Sequence, residues 1–331
     1  MFVPTAIPGL VCAYLFSETG EHTVLGDADI DMPLPPGTWL WLHLNLTDQR
    51  CGKWLAEKLG LPRSVIDDFT DESLRPFIAQ QQEHVVGQLT TFRRDFTADS
   101  TETTWCRFIL SERWLVTGRV RAVQVAESLR RELTRGLKPA SPAAFFDLLV
   151  EHFPDTLDTI LHRLTDELES IEDDILSDEQ KDERRRLMLL RREAALLHRH
   201  MRAVRRALLT GMRTVHALPP GIADAAARLA HLDQDYESLE TRARFFHDEV
   251  DAKLAAETNR QLYILSALTS AFLPPSLVAG IFGMNVEWLP FAKGEHGFLI
   301  IMLMAAASSA LANARGRVHE PRCRRGRPVT R

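Results

Sequence analysis

The sequence lacks the usual marks of a catalyst and of a disulfide-stapled secreted domain. Its 331 residues hold four cysteines, Cys12, Cys51, Cys106 and Cys323, scattered and without a C-x-x-C pair. That spacing gives neither a disulfide framework nor a zinc ribbon, and leaves small buried thiols in a reducing compartment as the reading. There is no lysine-bearing P-loop, no G-x-G-x-x-G turn, no H-E-x-x-H and no G-x-S-x-G. Without a phosphate cradle, a dinucleotide turn, a zinc-hydrolase pair or a nucleophile elbow, the expected function is not enzymatic. The opening residues, "MFVPTAIPGLVCAY", carry no basic start and no small-residue cleavage site, so no signal peptide is expected and the large N-terminal part is assigned to the cytosol.

Two further absences are local. Gln261–Val286 contains no charged side chain, and residues 261–314 carry only Glu287, Lys293 and Glu295, in a chain that is 26% charged overall. Residues 222–273, 52 in number, contain neither glycine nor proline. The first absence predicts membrane spans. Leu262–Phe282 is a run of 21 residues and Gly297–Ala314 one of 18, against the roughly 20 that a spanning helix needs. The second predicts one uninterrupted helix of about 78 Å at 1.5 Å per residue, longer than the bilayer core, so a stalk must project from the first span. "LPPGI" at 218–222 marks its start. Pro274-Pro275 lies inside the first span, where it should kink the helix and free backbone carbonyls that a neighbouring helix or water must satisfy.

Charge sets the orientation. The 17 residues after Ala314 include seven arginines, while the loop at 286–297 has one lysine against two glutamates. Basic flanks stay inside, so both termini are expected in the cytoplasm, with the basic tail contacting anionic lipid rather than nucleic acid.

Periodicity divides the long helix into faces. Leu229, Leu232, Tyr236, Leu239, Ala243, Phe246 and Val250 recur at alternating steps of three and four, the seam of a helix packed on others. A second stripe, Leu262, Ser266, Thr269, Leu273, Ser276 and Gly280, lies on another face, and extended backward it meets Asn259, Ala252 and Asp248. Small and hydroxylated residues on one face of a span suit close helix packing or a wet path; the sequence leaves both open. Two spans per chain cannot enclose a path, so a pore requires several copies in a ring.

Upstream, strands are expected at 10–17, 38–45, 84–93, 105–110 and 114–119, with helices around 48–60, 63–71 and 121–136. In the second strand Leu40, Leu42 and Leu44 alternate with Trp39, Trp41 and His43, the period of a strand. Ser141 and Pro142 form a helix start. From 143 to 212 the pattern is helical: an acidic stretch at 166–180, then nine arginines in 184–206. An antiparallel hairpin turning near Ser177 would set these charges side by side. The rival use of Asp166, Glu167, Glu169, Glu172, Asp173 and Asp174 is cytosolic metal sensing, since carboxylates suit hard divalent cations. His198 and His200, two apart on a helix, do not share a face and are not a metal pair.

With these residues in place, the chain resembles the CorA-type divalent metal ion transporters over essentially its whole length: an α/β region, a long stalk helix entering the first of two terminal spans, Gly283-Met284-Asn285 at that span's outer end, a short outside loop and a basic tail. "WLWLHLN", "SLRP" at 73–76 and "NRQLYILSALTSAFLPPSLVAGIFGMN" look like the zinc transporter (ZntB) branch of that family. Phe282 stands where the magnesium branch usually has tyrosine, and the loop "VEWLPFAKGEHG" lacks that branch's Met-Pro-Glu-Leu.

The resemblance implies an α+β membrane protein in a homopentameric funnel. Its parts are a cytosolic α/β domain (1–140), a helical hairpin (141–220), a stalk (221–261), spans at 262–284 and 298–314, an outside loop (285–297) and a tail (315–331). It implies transport of a divalent cation, zinc ahead of magnesium, cobalt and nickel, with proton coupling in the zinc branch and no resident cofactor. The only partners implied are further copies and membrane lipid. Gly283, Met284 and Asn285 would form the outer filter. Asp248, Asn259, Leu262, Ser266, Thr269, Leu273, Ser276 and Gly280 would line the pore, and Glu287 and Glu295 would draw cations to the mouth. No tightly bound metal is expected in the membrane. The rival from another class is a two-span anchored binding or signalling protein without flux.

Overall fold

The structure, a computed structural model, describes residues 7–26, 30, 33–71, 75–93, 102–177, 182–216, 218–283 and 297–318. Met284, Asn285, Glu287 and Glu295, part of the 73–76 motif, and the tail beyond 318 with Cys323 lie outside the described residues. Two compact units are present, Met1–His247 and Asp248–Arg331.

The first unit is built on a seven-stranded sheet in the order β2-β1-β3-β7-β6-β5-β4. The strands are β1 (Leu10–Ser17), β2 (His22–Leu25), β3 (Thr38–Asn45), β4 (Phe77–Gln81), β5 (His84–Phe92), β6 (Thr103–Leu110) and β7 (Trp114–Arg119). Neighbours run antiparallel except β3 and β7, which are parallel. Five of these strands match the sequence pattern closely. The two edge strands, β2 and β4, do not show there, because each is short and half polar and only Ile78 among their nine residues is buried.

The alternation in β3 sorts its side chains between two cores, since both faces of the sheet are covered. On one face, Leu40, Leu42 and Leu44 pack with Leu55 of α1 (Arg50–Leu59) and Val65 and Phe69 of α2 (Arg63–Thr70). On the other, Trp39 stacks on Phe16 with ring centres 3.9 Å apart, Trp41 meets Phe145 edge-on at 4.9 Å, and Phe108 lies 4.4 Å from Phe146. Helix α3 (Gln124–Thr134) and then α4 (Pro142–Ser177) follow the sheet. Ser141 caps α4 as expected, its Oγ accepting the Ala144 N–H at 3.1 Å, which satisfies one of the helix's free donors.

Helices α4 and α5 (Glu183–Thr214) form the antiparallel hairpin. Opposite charges meet along it. Arg186 donates Nε to Glu167 at 2.9 Å and Nη1 to Asp174 at 2.6 Å, and Arg163 pairs with Glu193. Helix α6 (Gly221–Phe282) supplies the third layer. Its heptad seam is buried as the spacing requires: Leu229, Leu232, Tyr236, Leu239, Ala243 and Val250 are all interior, and Phe246 is half-buried. The Tyr236 hydroxyl donates to the Leu157 carbonyl at 3.1 Å. Helix α7 (Gly297–Val318) completes the chain's described elements.

Candidate cation-path face on α6

In the second unit the small and hydroxylated stripe can be located. Asp248, Asn259, Leu262, Ser266, Thr269, Leu273, Ser276 and Gly280 all lie on α6 and all are exposed in the single chain. A Cβ added to Gly280 would meet nothing within 4 Å. The α6 residues of intermediate burial in the span are instead Ala267, Ala271, Pro274, Pro275, Val278 and Phe282. At about 100° per residue, their mean direction is roughly 170° from that of the stripe.

Helix α7 packs on the side of Ala271, where Ser309 Oγ donates to the Ala271 carbonyl at 3.0 Å. This bond resolves the proline problem. Pro275 has no N–H to give the carbonyl four residues back, which is that of Ala271. Ser309 supplies the missing donor from the neighbouring helix, as apolar surroundings demand. Helix α6 therefore continues unbroken through Pro274-Pro275 to Phe282. Sequence reasoning expected freed carbonyls but did not find this partner; the Ser308-Ser309 pair within the apolar run of α7 was the available signal.

Hydroxyls on the stripe are turned to their own backbone. Thr269 Oγ1 donates to the Leu265 carbonyl at 2.8 Å and Ser276 Oγ to Phe272 at 2.5 Å. Each keeps lone pairs free to accept from water. The stripe from Leu262 to Gly280 contains no His, Cys, Asp or Glu. It therefore offers hydroxyl oxygens and the exposed apolar side chains of Leu262 and Leu273, and no strong metal ligand. At the end of α6, Gly283 N donates to the Ala279 carbonyl at 2.8 Å, and a Cβ at Gly283 would sit 2.9 Å from that oxygen. Glycine is fitted here by the close approach of backbone.

Among the described residues no three His, Cys, Asp or Glu side chains come together as a metal cluster. Of the acidic residues on α4, Glu167 and Asp174 are held by Arg186, and Glu172 accepts from Arg242 at 3.2 Å. Asp166, Glu169 and Asp173 are exposed on α4. His198 and His200 have separate partners. His198 bridges Asp233 at 2.8 Å and Glu240 at 3.1 Å, both on α6, and His200 faces Thr103 at 3.2 Å. Sequence reasoning missed the His198 bridge, because its two carboxylates are contributed by another helix. Burial pushes the Cys12 and Cys106 thiols up to about 12 and that of Cys51 to about 11, so none is a thiolate able to bind metal near neutral pH.

Helix α6 is long and apolar enough to cross a membrane, and its small and hydroxylated face is exposed. The chain belongs to the CorA-like Mg2+ transporter family, whose model matches residues 36–313. The zinc transport protein ZntB of Pectobacterium atrosepticum is 26% identical over 309 residues, covering 89% of this chain and 91% of that protein. The divalent cation transporter CmaX of Pseudomonas aeruginosa is 25% identical over 306 residues, covering 89% and 92%. Among solved structures, the full-length CmaX protein superposes with a TM-score of 0.79 at 22% identity over 94% of this chain and 98% of that one. The CorA magnesium transporter of Methanocaldococcus jannaschii gives 0.68 at 18% identity over 93% and 98%. These superpositions support the fold.

Proposed function

We propose that the protein carries divalent metal cations across a membrane, zinc ahead of magnesium, cobalt and nickel, through a pore ringed by five copies of α6. Both termini would lie in the cytoplasm, with α7 as the outer, lipid-facing span. The observation that carries this reading is the placement of α7. It covers the Ala271 side of α6 and leaves the stripe from Leu262 to Gly280 uncovered on the opposite side. In a family of ion transporters, an uncovered polar and small-residue face is the surface to turn toward a shared axis. A ring is the simplest closed arrangement that does so.

The chemistry of the path follows from its residues. Asn285, just beyond the described end of α6, offers a neutral amide oxygen. Five such oxygens would hydrogen-bond a cation's water shell without stripping it, which matters because magnesium dehydrates reluctantly. Zinc held by imidazole or thiolate would not leave quickly, and conduction needs binding that is favourable but weak. Gly283, at the end of α6, would permit the backbone turn that precedes Met284 and Asn285. Glu287 and Glu295 would raise the local cation concentration at the mouth. Leu262 and Leu273 would act as apolar constrictions, and Asn259 and Asp248 would continue the path into the cytosolic vestibule. The stripe holds no titratable side chain between Leu262 and Gly280, so any proton coupling would use the loop glutamates, His296 or the cytosolic vestibule.

The test is metal uptake into liposomes by purified protein, read with an encapsulated zinc-sensitive dye, with magnesium, cobalt and nickel as competitors and an imposed pH gradient. Zinc uptake by the unmodified chain and its loss in Asn285→Ala, with assembly retained, is the expected result. Full uptake by Asn285→Ala would rule out the amide filter, and no flux of any metal would leave a two-span anchored protein.

A further inference from the structure

The cytosolic unit carries two grooves of opposite charge on nearly opposite sides of α6. One, of about 710 Å³, lies between α5 and α6 and is lined by Arg184, Arg185, Arg191, Arg192 and Arg244 around Met188. Its two carboxylates are occupied: Glu240 accepts from His198, and Asp182 lies 3.8 Å from Arg185. Among the described residues Arg191, Arg192 and Arg244 make no ion pair. The other groove, of about 330 Å³, lies between α4 and α6, and Asp158, Asp166 and Asp235 line it with His162 and Arg242. Glu169 and Asp173 continue its acidic edge along α4, since 162, 166, 169 and 173 share one helix face. Glu169, Asp173 and Asp235 also make no ion pair among the described residues. Around α6, the mean direction of Asp235 and Ser238 is roughly 180° from that of Arg244 and His247 at 3.6 residues per turn.

The two patches lie at the same level. The pairs Arg163–Glu193, Arg186–Glu167 and Arg186–Asp174 set residues 163–174 of α4 beside residues 186–193 of α5. Within the basic groove, Met188 is 57% exposed. Arginine and methionine around exposed apolar surface is the composition of a protein interface.

We infer that the basic α5/α6 groove of one copy receives the acidic α4 edge of the next copy, head to tail around a ring. Unlike faces must meet, because the acidic patch and the basic patch are different surfaces of one chain. Such a heterologous contact repeats until the rotation closes. The inference rests on the ring proposed above and adds which surfaces join it. Charge complementarity would also set the direction of the ring, because like patches repel when brought together.

The test uses the full-length chain in detergent, in a Cys323→Ser background in which the other three cysteines are buried. Asp166→Cys and Arg192→Cys are made singly and together and treated with a short bismaleimide. The double variant should give a ladder of linked copies. Each single variant should stay unlinked, since each carries only one half of the contact. A double variant that remains unlinked, or a single variant that links to itself, overturns the head-to-tail contact. A second arm keeps the result independent of reagent reach. Reversing Arg191 and Arg192 to Glu should lower the fraction of assembled protein at least threefold at low salt, and reversing Glu169 and Asp173 to Arg in the same chain should restore it. Failure to restore counts against the contact. If inorganic tripolyphosphate instead binds the assembled wild-type protein and loses that binding in the Arg191 and Arg192 variants, with no ladder in the cysteine variant, the groove is an anion site and the contact is wrong. A wild-type chain that is multimeric, with a double variant that gives no ladder, contradicts this interface alone. A wild-type chain that is monomeric contradicts the ring.

Discussion

His43 Nδ1 lies 2.8 Å from Thr117 Oγ1, joining β3 to β7 at the one parallel pairing of the sheet. The same Thr117 oxygen accepts the Trp41 indole N–H at 2.9 Å and donates to the Leu42 carbonyl at 3.2 Å. Thr117 Oγ1 is therefore left to accept from a neutral His43. The other ring nitrogen, Nε2, is buried without a partner. A second proton would place an N–H there with nothing to accept it, and burial, with Arg119 and Arg130 nearby, lowers the His43 pKa to about 3.

The sign of the resulting pH dependence follows. The unfolded chain takes up a proton at this histidine near pH 6.5 and the native chain does not until about pH 3. Its contribution is therefore complete above pH 6.5 and is lost progressively as pH falls toward 3, at about 1.4 kcal/mol per pH unit. Burial pushes His84, His152 and His200 in the same direction. Chemical denaturation between pH 7 and 5 should show wild-type stability falling with a slope above one proton, and His43→Gln lowering that slope by about one. Equal slopes would mean His43 is not held neutral.

Ser309 offers a double-mutant cycle. Ser309→Ala removes the donor to the Ala271 carbonyl and should destabilise the α6–α7 pairing by about 0.6–2 kcal/mol, the range for hydrogen bonds between membrane helices. In a Pro275→Ala background the helix regains its own N–H for that carbonyl, and the cost of Ser309→Ala should shrink toward zero. Unfolding in detergent measures both steps. Additive costs would show that Ser309 does not stand in for the missing backbone donor.

Arg186 holds the hairpin together through Glu167, Asp174 and Ser170. Asp174 is 9% exposed, so Arg186→Ala takes an ion-pair partner away from a nearly buried carboxylate. A loss of about 2–4 kcal/mol is expected, somewhat below the full cost of breaking a buried pair because Arg186 itself is partly solvated. Asp174→Asn made together with Arg186→Ala should recover part of that loss. The thermal unfolding midpoint reads both variants, and a combined loss equal to the sum would contradict a coupling between Arg186 and Asp174.

Much of this fold was legible in residue order because local and global preferences agree. The alternation of Leu40, Leu42 and Leu44 with Trp39, Trp41 and His43 fixed β3 and assigned its two cores. The steps of three and four from Leu229 to Val250 fixed the buried seam of α6. What stayed hidden depends on distance in the chain. Edge strands β2 and β4 bury too little to leave a period, and the His198 bridge needs α6 laid against α5. The stripe from Leu262 to Gly280 could be drawn from sequence, but its two uses, packing or path, could not be separated there. The position of Ser309 against Ala271 places α7 on the opposite side and removes α7 as the stripe's packing partner.

Cysteine accessibility coupled to transport tests that face most directly. Ser276→Cys lies on the uncovered stripe and Val278→Cys on the half-buried side. Zinc uptake by each variant in liposomes would be measured before and after a charged, membrane-impermeant thiol reagent. Ser276→Cys is expected to lose most of its uptake on modification while Val278→Cys keeps it. Block at Val278→Cys with Ser276→Cys untouched would contradict a cation path along the stripe.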